Sequence, residues 1–193
     1  MGGIVAAERV RDGDPFDIVV LAADALEKLD AENRILPGSR VGFARSAMAI
    51  AVRAGAPHPL LDDEHDVKTA LLAARAIAYS TGPSGVHLVN LTKQWDIESI
   101  VAARLVHAPP GVPVGGLIAC GDAEIGFQQL SELMNEPGIE VVGPLPSTIQ
   151  SITLFSIGVG TRSVNIMASR DLCAYLTSAK AHEAIRRHGM EPA

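Results

Sequence analysis

Residues 77–88 read IAYSTGPSGVHL. An apolar run stops at Ser80, passes through Thr81, Gly82, Pro83, Ser84 and Gly85, and resumes with helical spacing. A strand that enters a helix through small hydroxyl residues and glycines leaves several backbone N–H groups aimed at one place, with Ser or Thr oxygens beside them. Such a turn holds an anion without a charged side chain. The same letters also suit a plain helix cap, with Ser84 or Thr81 closing the end and nothing bound. The rest of the chain decides between the two.

Upstream, FDIVVLAA (16–23) is a continuous apolar run of the kind found in a strand covered on both faces, and Asp24 is placed to cap the helix that follows. AMAIAVRAG (47–55) predicts a second strand, and VKTALLAAR a helix feeding the strand AIAYS. Downstream, VHLVNLTKQW predicts a helix, LVHAP a brief strand, PVGGLIACG a helix, AEIGFQQ a strand and turn, and IEVVG another strand. This alternation with short connections predicts an α/β fold with largely parallel sheets, its ligand beyond the carboxyl ends of the strands. STIQSITLFSIGVG (147–160) reads as a segment returning from one lobe to another, and two terminal helices follow, with Gly189 as a stop.

The 193 residues are 48% hydrophobic and 4% aromatic, so the core is aliphatic, and a site that needs exposed rings is disfavoured. Sixteen basic against 22 acidic residues, a formal charge of −6, give no footprint for nucleic acid or for an anionic membrane. An anion would have to be held locally by oriented dipoles. Cys120 and Cys173 lack ligand or redox spacing and read as buried free thiols. There is no metal-ligand cluster, no Ser-His-Asp order and no nucleotide loop; Gly158-Val159-Gly160 lacks the third glycine. No cofactor or metal is expected. MGGIVAAERVRDGD has none of the marks of a secretory signal, so the chain as written reads as cytoplasmic, and as periplasmic if an upstream leader has been lost.

GDPFDIVVLAADALEKL, VGFARSAMAIAVRAGAP, AIAYSTGPSGVHL, GDAEIGFQQLSEL, VVGPLPSTIQ and LTSAKAHEAIRRHGMEP, in that order along nearly the whole chain, resemble periplasmic solute-binding proteins of the molybdate-binding type. The resemblance implies a two-lobed type II periplasmic binding fold, with 1–50 and 156–193 forming lobe 1, 51–155 forming lobe 2, and the ligand in a cleft between them. It also implies work beside an ABC transporter permease. MGGIVAAERVRDGD resembles the end of the family's first helix, so lobe 1 is expected to be incomplete, lacking its usual N-terminal strand, and its open edge to be covered by a second copy in a homodimer. Where molybdate binders carry a serine after the strand resembling FDIVVL, this chain has Ala22, and near Thr153 an expected tyrosine is replaced. The motifs ARS, SGVHL and GFQQ are similar to those of proteins that bind or isomerise small polycarboxylates, trans-aconitate isomerase among them.

The candidate ligand residues are therefore Ser80, Thr81, Ser84, Gly85 and Val86 of the cradle, Ser46 before the crossing strand, and Gln128 and Gln129 at a strand end. Each has a plain alternative: a cap for the serines, a surface amide for the glutamines, a solvated charge for the neighbouring Arg45. His87, one turn from the cradle, is a candidate general base or a half-buried helix residue. Asp14 and Asp17 read as a turn and a cap. The donors are good and no convincing base accompanies them, so the expectation is a small-anion binder, most simply for an organic carboxylate. The alternatives are a cofactor-independent polycarboxylate isomerase on the same scaffold and a molybdate or oxyanion transport component.

Overall fold

The structure is a computed structural model and describes residues 2–109 and 111–193. In chain order the elements are α1 (Gly3–Asp12), β1 (Ile18–Ala22), α2 (Ala23–Ala31), β2 (Val41–Arg53), α3 (Glu64–Ala73), β3 (Ile77–Tyr79), α4 (Pro83–Gln94), α5 (Glu98–Val101), β4 (Leu105–His107), α6 (Val114–Cys120), β5 (Ile125–Gln129), α7 (Leu130–Leu133), β6 (Ile139–Pro144), β7 (Ile152–Val159), α8 (Ile166–Leu176), α9 (His182–Arg187) and β8 (Glu191–Pro192). They fall into two compact units. The first runs up to Ser46 and resumes at Thr153 to Ala193; the second is Ala47–Ile152.

In the second unit, β3 lies parallel to both β4 and β5, with Ile77 opposite Leu105 and Ile125. Both faces are covered, and the side chains sort by parity. Along β2, Met48, Ile50 and Val52 join Ile77, Leu88 and Phe127 in one aliphatic cluster, whereas Ala49 and Ala51 join Ala78, Val114 and Ile118 in another. The small residues are placed where α6 presses closely. A Cβ at Gly126 would lie 2.6 Å from Ile118 Cδ1 and 2.7 Å from Val114 Cγ1, so β5 has a glycine there. Phe127, on the other face, is fully buried, and burial of such a side chain contributes about 2–3 kcal/mol.

The expectation of largely parallel sheets is corrected. β2 runs antiparallel to β5, β6 and β8, and β1 runs antiparallel to β7, whereas β3 runs parallel to β4 and β5. A strand buried on both faces has the same apolar pattern whichever way its neighbour runs, so the pattern did not distinguish them. β2 is also much longer than its apolar half: it begins at Val41, pairs with β8 through Ala44 and Arg45, and pairs with β5 from Met48 onward.

In the first unit, Val19, Leu21, Leu26, Leu29 and Ile35 form the core on which α1 packs through Ala7 and Val10. Asp24 is not the cap of α2. The N-cap is Ala22, which has no side chain able to cap, and Asp24 sits inside the first turn. Asp17 ties β1 to the approach of α8, accepting from Ser163 Oγ at 2.7 Å and Asn165 Nδ2 at 3.1 Å; these hydrogen bonds hold its carboxyl below the ordinary aspartate range. Both cysteines are free, but only Cys173 is buried. Cys120 is exposed, at the last position of α6. Among the described residues, no helix is long and apolar enough to cross a membrane.

Candidate functional site

The cradle follows from where α4 begins. Gly82 is the N-cap and Pro83 the first helical residue, a position that suits proline because its missing N–H is not needed there. Each N–H of the first turn can be accounted for. The Gly82 N–H goes to Ser80 Oγ at 3.2 Å, Pro83 has none, and the Val86 N–H goes to the Gly82 carbonyl at 3.1 Å. The N–H groups of Ser84 and Gly85 have no partner among the described residues. Gly82 supplies no capping side chain, and the first turn holds no acidic residue, so the positive end of the helix dipole is uncompensated there.

Ser84 is buried at 2% exposure, and its Oγ lies 3.5 Å from Ser80 Oγ, a marginal hydrogen bond. Since Ser80 Oγ already accepts from Gly82, its own proton is free to donate elsewhere. Gly85 keeps these groups together. A Cβ there would run into the Ser80 carbonyl, with Ser80 C at 2.8 Å and the Tyr79 ring at 3.1 Å, so only glycine lets the helix start this close to the end of β3.

The structure thus brings Ser80, Ser84 and Gly85 together, with Thr81 exposed beside them. Two expectations need correction. Ser84 is not a cap, because the N-cap is Gly82 and the helix has already started at Pro83. The Val86 N–H is no open donor, because it closes the first intrahelical turn, and the Val86 side chain is 57% exposed.

Gln128 and Gln129 end β5 and are both buried, not on the surface. Strand alternation puts Gln129 on the α4 side with Phe127, and Gln128 on the α6 side with Gly126. Gln128 Nε2 donates to Glu132 Oε2, and its Oε1 is buried with no hydrogen-bond partner. Burial of the Glu132 carboxyl end pushes that acid above the usual carboxylate range, although the residue as a whole is exposed. Ser46 is fully buried at the last position of the first unit, and Arg45 is engaged by the Pro192 carbonyl at 3.0 Å.

His87 is half-buried, and its Nε2 lies 2.7 Å from the Ile149 carbonyl. A carbonyl only accepts, so Nε2 carries a proton and Nδ1 is the nitrogen open to act as a base. The same loop contains a residue that sequence reasoning missed. Gln150 Oε1 accepts from the N–H groups of Met48 and Ser151, each at 2.9 Å, and Nε2 donates to the carbonyls of Met48 and Leu145, each at 3.1 Å. Its amide acts as a short piece of strand beside β2. Replacing Gln150 with alanine should destabilise the fold by about 2 kcal/mol, because the Leu145 carbonyl and its neighbours lose their partners. Urea unfolding measures this, and an unchanged midpoint would show that the network is dispensable.

β2 runs through the boundary between the two α/β units, and an uncapped helix start follows the parallel strand β3. The chain belongs to the bacterial extracellular solute-binding protein family, whose model matches residues 2–191. It is 38% identical over 187 residues to a Pseudomonas protein named aconitate isomerase, covering 95% of this chain and 70% of that one. It is 25% identical over 190 residues to the molybdate-binding protein ModA of Azotobacter vinelandii, covering 94% of this chain and 73% of that protein. The solved periplasmic molybdate-binding protein of Azotobacter vinelandii superposes with a TM-score of 0.79 at 22% identity, over 97% of this chain and 83% of that one, which establishes the type II periplasmic binding fold.

Proposed function

We propose that this protein binds a small organic carboxylate, a polycarboxylate of the aconitate class, at the start of α4. The observation that carries the proposal is the pair of unpartnered N–H groups at Ser84 and Gly85, set beside the Ser80 and Ser84 hydroxyls at an uncompensated helix end. Two adjacent donors with hydroxyls on either side match the two oxygens of a carboxylate. The identity to the protein named aconitate isomerase supports the ligand class, and Ala22 supplies no hydroxyl at the start of α2, which supports an organic acid over molybdate. A permease of an ABC transporter is the partner that membership of a solute-binding family supports.

A second reading, isomerisation, has one observation in its favour: His87 lies one turn from the cradle with Nδ1 open. Moving a double bond in aconitate requires removing a proton from carbon and returning one, work for which an imidazole is suited. Incubating trans-aconitate with the protein in heavy water separates the readings. A binder leaves the proton spectrum unchanged, whereas an isomerase yields cis-aconitate and deuterium at carbon.

We also propose a homodimer through the first unit. Val164, just before α8, and Met167, Leu172 and Tyr175 on it are exposed, Val164 and Met167 at 84% and 74%. The outer edge of β1 has no strand partner among the described residues. Light scattering at micromolar concentration should give twice the chain mass, and Met167→Asp should halve it; a wild-type monomer would contradict the proposal.

A further inference from the structure

The second unit has a cavity of about 500 Å³ at the end opposite the cradle, where β2 finishes and β5 begins. One wall is apolar and made mostly of small side chains: Ala56 and Pro57 after β2, Ala70 and Ala73 of α3, Ala74 just past its end, and Ile125 of β5. The volume is that of an ordinary small-molecule site, and alanines and prolines leave a flat slot, not a set of knobs.

The charges in its lining, and Glu140 bonded to the lining residue His58, are unevenly matched. Glu124 accepts from the Arg75 backbone N–H at 2.7 Å and from its guanidinium, and Glu140 accepts from His58 Nε2 at 2.9 Å and the Gly55 N–H at 3.0 Å. These bonds hold both carboxyls below the usual carboxylate range, so each carboxylate already has its donors in place. Arg53 also lines the cavity and has no ion pair or side-chain hydrogen bond among the described residues. Its guanidinium lies against Gly121, where a Cβ would strike it, so the glycine makes room for the arginine head at this spot.

We propose that this cavity is a second ligand site, which takes a small amphipathic carboxylate with its anionic head on Arg53 and its apolar body against the alanine and proline wall. The planar fork of a guanidinium pairs bidentately with a carboxylate, and the neighbouring acids do not compete for it because each is already held. This site shares no residue with the cradle, so the two stand or fall separately.

4-Phenylbutyrate is a suitable probe, with 4-phenylbutanol as its uncharged counterpart, titrated into protein carrying 13C-methyl alanine. The methyls of Ala56, Ala70, Ala73 and Ala74 should shift saturably with the acid. The alcohol should bind at least tenfold more weakly. Arg53→Gln, which breaks no ion pair or side-chain hydrogen bond among the described residues, should weaken the acid at least tenfold and leave the alcohol unchanged. Ala73→Trp, at an exposed position on the wall, should abolish the shifts at Ala56. Absence of saturable shifts at these methyls, equal affinity for acid and alcohol, or an Arg53→Gln protein that binds the acid like wild type would each overturn the proposal.

Discussion

Replacing Gly85 with alanine should destabilise the protein by about 3 kcal/mol and abolish anion binding at the cradle. The added methyl meets backbone, the Ser80 carbonyl group, and not the yielding end of a flexible side chain. Either α4 shifts away from β3 or the β3 end is pushed off its pairing with β4 and β5, and both moves separate Ser80 from Ser84. Gly82→Ala is the matched control. Its φ of −74° suits alanine, and the nearest atom to the new Cβ is Ser80 Oγ at 3.4 Å, an ordinary contact. Urea unfolding should therefore show a large loss for Gly85→Ala and a loss of less than about 1 kcal/mol for Gly82→Ala. Equal losses would mean that the close approach of helix and strand does not fix the cradle.

Ser84→Ala should do the reverse, with little effect on stability and a large effect on binding. Ser84 lies inside the helix and caps nothing, and its hydroxyl has only the marginal contact to Ser80. Alanine is also the better helix former, so the melting temperature should stay within a few degrees of wild type. A donor to an ionised carboxylate contributes about 1.5–3 kcal/mol, so calorimetric titration should show affinity for trans-aconitate falling by roughly tenfold to a hundredfold. Unchanged affinity would leave IAYSTGPSGVHL as a turn that merely starts a helix.

Much of this architecture could be read from residue order, because parity and period survive without coordinates. MAIAV announces a strand buried on both faces, and its alternation of large residues with alanine matches the two clusters it joins. The turn between β3 and α4 was legible for a similar reason: hydroxyls and glycines mark where a strand hands over to a helix. The register of the helix start was misread, although Pro83 carried the signal, since proline at the first helical position points to Gly82 as the cap. Gln150 was out of reach. Its importance comes from four backbone groups, two of them about a hundred residues away, which no local pattern shows. The same holds for the Arg53 cavity, whose character depends on which acids already have partners. Strand direction was hidden because burial on both faces leaves no trace of it.

The most direct test of the central claim follows the backbone amides of Ser84 and Gly85 in a proton–nitrogen spectrum while trans-aconitate or molybdate is added. Both amides should move downfield and saturate with trans-aconitate, at lower concentration than with molybdate, while the Val86 amide, already bonded to Gly82, moves far less. If Ser84 and Gly85 stay still while aconitate binds, or if molybdate saturates them first, the start of α4 is not a carboxylate site.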